Sequence, residues 1–292
     1  IYADARYRYD HVEIGAFIDE PNRLATEPTT YHFGDVGAGV TKETAQWLGA
    51  LDASLLYYNY NNVGRLDGTR NIDDDRDRYE GIVTGRVGYK VKEETAVFLQ
   101  GAGNSREYDK RVDGTLLFPR DSTGQEVLVG VQHGDRKQPL WIDAGVGYLW
   151  QDYDSSLLPD VDDYAFRARV QWQEPQQWRV RGELTRDIVE ATQQATSSYL
   201  QSRAGLKANY FLTPEWILGG GLRYTINDFQ TDPASGRPKR EDTVVDGSVY
   251  VDYMLTDLYS VGAEVMRVER ESDDPTADYD SNTGLLRFGV RY

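Results

Sequence analysis

Apolar and polar side chains alternate with a period of two along nearly the whole chain. From position 216 to position 226, large apolar residues such as Leu222 recur at even positions, and polar or small residues such as Arg223 fill most odd positions. Side chains two positions apart share one face of a β-strand, so each such segment has an apolar and a polar face. No stretch shows a 3.6-residue period long enough for a helix. The pattern predicts an all-β fold of amphipathic strands.

The alternating segments predict fourteen strands joined by short turns at one end and mostly longer polar loops at the other. This arrangement indicates one antiparallel up-and-down domain over residues 1–292, with sixteen strands as the alternative count. The predicted strands are 2–10, 31–41, 46–61, 77–91, 94–108, 122–134, 139–154, 161–173, 177–190, 196–212, 215–229, 240–255, 257–272 and 278–292.

Strand length separates a membrane barrel from a soluble β-sandwich. Most predicted strands exceed the roughly 5–6 residues usual in ordinary sheets, and a tilted strand crosses a bilayer with about 9–11 residues. No run of about 20 apolar residues is present, so a bundle of transmembrane helices is excluded. A soluble, secreted all-β domain is the alternative, but no predicted helix is available to cover the apolar faces.

Aromatic residues flank the short turns on the apolar face, as in the belts where outer-membrane barrels meet the lipid headgroups. The predicted girdle consists of Trp47, Trp172, Trp178, Tyr210, Trp216, Tyr253 and Tyr259. A closed barrel leaves no strand edge in the lipid. We therefore expect a transmembrane β-barrel of the bacterial outer membrane, with both termini in the periplasm. The chain opens without a signal peptide, so we expect a processed or trimmed chain from which a leader is missing.

Charge and composition exclude several classes of function. The chain has 32 basic and 48 acidic residues, a formal net charge of −16 and no cysteine. An acidic balance argues against a nucleic-acid partner, because affinity for phosphates rests on Lys and Arg. The lack of cysteine excludes disulfides and thiolate chemistry.

Two stretches carry a resemblance to a known family. They are Tyr210–Tyr224, YFLTPEWILGGGLRY, and Val249–Tyr259, VYVDYMLTDLY. With the loop and strand that follow Glu269, they resemble the putative β-barrel porin 2 family, found in bacterial exopolysaccharide gene clusters. The resemblance implies an outer-membrane protein that helps sugar polymers to cross, with polysaccharide, lipopolysaccharide and export components of the periplasm or inner membrane as partners.

The polar faces predict a basic lumen, because the acidic excess falls mainly in the loops. The candidate lumen-lining residues are Arg167, Arg169, Arg179, Arg181, Arg203, Lys207, Arg223 and Arg287. Arginine presents a planar fork that suits carboxylates, so this set indicates passage of an anionic solute or polymer. The alternative is a structural role, in which carboxylates such as Asp143 and Glu183 neutralise the arginines. Inward-facing glycines, among them Gly145 and Gly219, are expected to ease strand curvature and widen the lumen.

Metal and enzyme chemistry find little support. The alternate Asp73, Asp75 and Asp77 form a weak calcium candidate, because Arg78 stands where the calcium loop needs Gly; solvated loop residues are the better interpretation. His32 with Asp35 is the best start for a catalytic site, but no nucleophile accompanies it. We expect no cofactor and no enzymatic activity. Together with the family resemblance, these patterns predict an exopolysaccharide export channel, with a general or anion-selective porin as the alternative and a barrel enzyme or adhesion scaffold as a weaker one.

Overall fold

The computed structural model describes residues 1–12, 25–71, 73, 76–109, 120–135, 137–174, 177–191, 196–231 and 238–290. Within these ranges, fourteen long antiparallel strands form one sheet in which each strand pairs with its neighbours in sequence. This confirms the all-β, up-and-down topology. Among the described residues, no helix is long and apolar enough to cross a membrane.

Each predicted strand is present, with ends that differ by no more than about two residues. The strands are β1 (Tyr2–Val12), β2 (Thr29–Glu43), β3 (Trp47–Tyr60), β4 (Val63–Gly64), β5 (Arg70–Asn71), β6 (Arg78–Lys92), β7 (Thr95–Tyr108), β8 (Ser122–His133), β9 (Leu140–Tyr153), β10 (Val161–Glu174), β11 (Trp178–Glu190), β12 (Thr196–Phe211), β13 (Trp216–Thr231), β14 (Glu241–Met254), β15 (Tyr259–Ser272) and β16 (Tyr279–Val290). The short β4 and β5 pair with each other in the loop between β3 and β6, and a 3₁₀ turn covers Pro275–Ala277. The alternation did not predict these short elements.

The outer face of the sheet is apolar and exposed. Leu206, Leu222, Val249 and Val265 lie on four successive strands and are each between 55% and 66% exposed. Apolar side chains in such a continuous band are favourable only against lipid or another apolar surface. The polar residues that alternate with these apolar ones along each strand lie on the inner face.

The two outermost strands, β1 and β16, leave a seam in the sheet. Within the described ranges, no hydrogen-bonded pair joins them, and the ladder runs from β1 to β16 through the intervening strands. Leu286 on β16 is 91% exposed and Tyr7 on β1 is 67% exposed.

The upper ends of β11 and β12, next to the long loops, fold across the inner face. Pairing between β10 and β11 stops at Arg167 and Thr185, although β10 continues back to Val161. Beyond that point, Leu200 of β12 packs against residues of the inner face of β8–β10. This inner core consists of Leu128, Leu149, Tyr153, Leu158, Val161, Ala165 and Leu200, with Ile188 packed against it.

The inner core includes a residue whose burial the alternation does not predict. Leu200 alternates in phase with Leu206, so the pattern places both on the lipid-facing side. Leu206 is 55% exposed, whereas Leu200 is 3% exposed. The phase of a strand gives the side to which a residue points, but not what covers that side.

Candidate functional site

A cavity of about 1080 Å³ lies along the inner face of β9–β16. Six of the eight predicted basic residues line it, and they are Arg169, Arg179, Arg181, Arg203, Lys207 and Arg223. The strand register places the other two, Arg167 and Arg287, on the same inner face, beyond the lining of this cavity. The alternation thus brought the predicted set together on one side of the sheet.

Three of the eight residues are neutralised by carboxylates. Arg223 binds Asp246, with its Nε 2.9 Å from Oδ2 and its Nη2 3.0 Å from Oδ1. Arg287 pairs with Asp252 at 3.0 Å and with Glu264 at 2.8 Å. These pairs match the structural role that the sequence left open.

Arg167 is the third paired residue. Its Nη2 lies 3.0 Å from Asp187 and 3.3 Å from Glu126. Such pairs brace neighbouring strands and leave little net positive charge for a solute.

The remaining five have no carboxylate within 4.0 Å among the described residues. They form the basic cluster, defined as Arg169, Arg179, Arg181, Arg203 and Lys207. Arg181 donates its Nε to Gln171 Oε1 at 3.1 Å, which orients the guanidinium without neutralising it. Arg203 likewise donates to the amide oxygen of Gln201. The cluster therefore keeps its positive charge.

Two members of the basic cluster face each other directly. Arg181 on β11 is the register partner of Lys207 on β12, and both are exposed on the inner face. Like charges directly opposite each other destabilise a sheet. On the far side of Lys207 the partner is Gly221, which adds no side chain. Arg181 and Lys207 therefore place two positive charges side by side next to open space. Such a site favours the binding of an anion from solution.

Asp143, which the sequence offered as a neutralising partner, is engaged elsewhere. Its Oδ2 accepts from Arg86 Nη1 at 2.5 Å. Glu183 forms no ion pair within 4.0 Å among the described residues, and its Cγ lies 3.2 Å from where a Cβ of Gly205 would stand. It therefore leans toward β12 rather than toward Arg169.

The prediction that inward glycines widen the lumen is wrong at two positions. A Cβ at Gly219 would lie 2.2 Å from the ring of Tyr250, whose hydroxyl donates to Asn209 Oδ1 at 2.6 Å. A Cβ at Gly145 would lie 3.3 Å from the ring of Phe98. Both glycines make room for an aromatic ring of the inner face.

Several polar and aromatic cavity residues were missed by sequence reasoning, which followed charge alone. The missed lining residues include Trp141, Gln171, Gln173, Gln201 and Asn227. Each lies in phase with an inward arginine or aspartate on its own strand, so the same alternation could have found them. Amide and indole groups beside arginines add hydrogen-bonding and stacking surfaces to the cavity.

The aromatic residues predicted as a girdle lie at the short-turn ends of their strands and make contacts between neighbouring strands. Ring centroids of Trp178 and Tyr210 are 4.6 Å apart, and those of Trp216 and Tyr253 are also 4.6 Å apart. The other members, Trp47, Trp172 and Tyr259, are 43–53% exposed on the outer face. This is the placement that an interfacial aromatic belt requires.

The metal and catalytic candidates have other partners. Asp73 accepts from Thr29 and pairs with Arg76, and Asp77 accepts from the backbone N–H of Tyr60 at 2.6 Å. Asp75 lies outside the described residues. In the part of the chain that the structure describes, no group of three or more His, Asp or Glu side chains could hold a metal ion.

The proposed catalytic start does not assemble. By strand alternation His32 and Asp35 point to opposite faces of β2. The His32 Nδ1 lies 2.6 Å from the hydroxyl of Tyr7 on β1. This is a hydrogen bond between side chains of β1 and β2.

Among solved structures, the chain is similar to the FrpB iron transporter from Neisseria meningitidis (F3-3 variant), with 9% identity and a TM-score of 0.49. The match covers 92% of this chain and 49% of that one, so this chain spans about half the length of FrpB.

Two structures of OmpT from Vibrio cholerae are also similar. The outer-membrane expressed form has 11% identity and a TM-score of 0.35, covering 99% of this chain and 95% of that chain. The loop L8 deletion mutant has 10% identity and a TM-score of 0.36, covering 98% of this chain and 99% of that chain. No curated protein sequence matches the chain.

The family described as putative β-barrel porin 2 matches residues 1–292. This match covers the long amphipathic strands, the apolar outer face and the basic inner cavity alike. The chain belongs to the putative β-barrel porin 2 family and is a β-barrel protein of the bacterial outer membrane.

Proposed function

We propose that the protein is a non-enzymatic outer-membrane channel that aids the export of an anionic exopolysaccharide. The observation that carries this proposal is the basic cluster, whose five cations line one cavity without a carboxylate partner in the described part of the chain. A low-dielectric wall focuses their field into the water path and raises the local concentration of anions. Arginine forks recognise carboxylates in two-point contacts, which suits a polymer of acidic sugars.

The polymer is the part of the proposal that rests on the family. The resemblance to proteins of exopolysaccharide gene clusters supports a sugar chain as the cargo. The amide groups of Gln171 and Gln201 and the indole of Trp141 in the cavity wall suit hydroxyl-rich ligands. Lipopolysaccharide around the barrel and export components in the periplasm are the partners that this role requires.

An anion-selective diffusion porin is the second candidate, because the same basic cluster would also favour small anions. The two functions differ in what the cavity must pass. An export channel loses polymer secretion when the cluster is removed, while a porin loses only its preference for anions.

The test replaces Arg169, Arg181 and Arg203 together with Gln. In planar bilayers, we expect the wild type to prefer chloride over potassium and the triple variant to lose this preference. Arg267→Gln, on the outer face of β15, should leave selectivity unchanged. An unaltered ion preference in the triple variant would refute the anionic path.

A second assay separates the polymer from small ions. Acidic polysaccharide in the medium is measured for cells that carry the triple variant as their sole copy. Loss of secretion supports export. Normal secretion with altered ion selectivity would leave the anion-selective porin as the function.

A further inference from the structure

Arg86 makes a long reach across the inner face that the basic cluster does not explain. It lies on β6, and its guanidinium binds Asp143 on β9, with β7 and β8 between them. Asp143 is the register partner of Arg169, a member of the basic cluster on β10. The Asp143 carboxylate therefore does not pair with Arg169 directly opposite it, but with Arg86 three strands away.

The reach is built by surrounding residues. The Arg86 guanidinium lies 3.9 Å from the centroid of the Phe98 ring, and Phe98 is 5% exposed. A Cβ at Gly130 would lie 2.4 Å from that ring, and one at Gly145 would lie 3.3 Å from it. The Phe98 ring thus packs closely against Gly130 and Gly145, where a Cβ would crowd it, and the ring contacts Arg86 by a cation–π interaction.

Two acceptors fix the direction of the guanidinium. Gln100 Oε1 accepts from Arg86 Nε at 2.9 Å and from Nη2 at 2.6 Å. Asp143 accepts from Nη1 at 2.5 Å and from Nη2 at 3.3 Å. The two acceptors and the Phe98 ring together fix one orientation of the Arg86 guanidinium. Arg86 therefore holds Asp143 in a defined position.

We infer that Arg86 is a specificity-determining residue of the channel, which acts by holding Asp143 away from Arg169. Arg169 is exposed in the cavity, and neither Asp143 nor Glu183, its register partners, pairs with it within 4.0 Å. Without Arg86, Asp143 turns to Arg169, its register partner on β10, and neutralises it. This inference deepens the proposed function and depends on it for its effect on ion selectivity.

The first test is a cycle of variants in planar bilayers, read as the chloride-to-potassium permeability ratio. Arg169→Gln should lower the ratio about twofold in the wild-type background, as one screened charge near the path does. Arg86→Gln should lower the ratio by about the same factor, because Asp143 then neutralises Arg169, and adding Asp143→Asn should restore the wild-type ratio. A ratio that Arg86→Gln leaves unchanged, or that Asp143→Asn does not restore, would overturn the inference.

The control variant is Arg287→Gln. It also removes an ion-paired inward arginine, but its partners Asp252 and Glu264 lie on β14 and β15, away from Arg169. Arg287→Gln should therefore lower the ratio by less than Arg86→Gln does. An equal drop in the two variants would mean that any inner charge matters equally, which contradicts a specific role for Arg86.

A second measurement separates this inference from the proposed function. Asp143→Asn and Arg169→Gln are combined in urea unfolding, in the wild-type and in the Arg86→Gln background. We expect no coupling in the wild type and a coupling of about fivefold in the unfolding equilibrium constant once Arg86 is absent. Coupling without any ion selectivity would refute the channel proposal alone, and no coupling in either background would refute the role of Arg86.

Discussion

Arg106 on β7 and Glu190 on β11 form an ion pair of 2.5 Å with three strands of the sheet between them. The hydroxyls of Tyr108 and Tyr153 donate to the same carboxylate at 2.9 and 3.0 Å. Their side chains converge from the inner face of β7 and β9 on the end of β11. Glu190 therefore fastens the upper end of β11 across the sheet, above the inner core.

Glu190→Gln should destabilise the protein by about 3–5 kcal/mol, because it leaves the largely buried Arg106 without its counter-charge. The measurement is urea unfolding in detergent or lipid, followed by tryptophan fluorescence. Glu269→Gln is the matched control, since its pair with Arg267 is about half exposed and contributes about 0–1 kcal/mol. Equal losses in the two variants would show that Glu190 is not a structural clamp.

Leu222→Arg and Ser248→Arg test which face of the sheet meets lipid. Leu222 is 58% exposed on the outer face, and Ser248 lines the inner cavity one strand away. A charge at the lipid midplane costs about 2–4 kcal/mol, so Leu222→Arg should reduce folding yield into vesicles sharply. Ser248→Arg should be tolerated. A register slip of one residue would exchange the two results.

Gly219→Ala and Gly221→Ala compare two glycines on one face of β13. A Cβ at Gly219 would meet the Tyr250 ring at 2.2 Å, whereas the nearest atom to a Cβ at Gly221 is 3.6 Å away. Overpacking costs about 1–3 kcal/mol, so only Gly219→Ala should lower stability. Thermal unfolding followed on unboiled gels gives the comparison. Equal stability of the two variants would mean that Tyr250 moves away freely.

The anion preference should weaken with ionic strength. The screening length falls from about 10 Å at 0.1 M salt to about 3 Å at 1 M, which is shorter than the width of an open lumen. Reversal potentials measured at the two concentrations, with the same salt gradient, give the preference. A preference independent of salt would indicate direct anion binding rather than a field in the water path.

Much of the fold follows from alternation, and the reason is physical. A strand with one face on lipid and one on water must repeat with a period of two, so Leu222 and Arg223 reveal their sides in the sequence itself. Period, length and turn position together place fourteen strands. The inner core escapes this logic, because Leu200 shares its phase with Leu206 while another layer of the same sheet covers it.

The charges of the site are predictable in position but not in partnership. Alternation places Arg169 and Asp143 on the inner face and even opposite each other. It contains no information on a side chain that arrives from three strands away, as Arg86 does on the ring of Phe98. Whether a lumen arginine is paired with a carboxylate therefore depends on tertiary structure. It depends on which side chains extend across the inner face and on the glycines that leave room for them.

The seam between β1 and β16 bears on how the protein assembles. Each pair along the ladder joins neighbours in sequence, so each forms at the low entropic cost of a hairpin or a loop. Pairing the two outer edges with each other would close a loop as long as the sheet itself, at a cost on the order of 2–3 kcal/mol more than a hairpin. A bilayer leaves no backbone donor or acceptor unsatisfied, so these edges must acquire strand partners. Pairing these two edges is thus the closure with the largest entropic cost in the sheet.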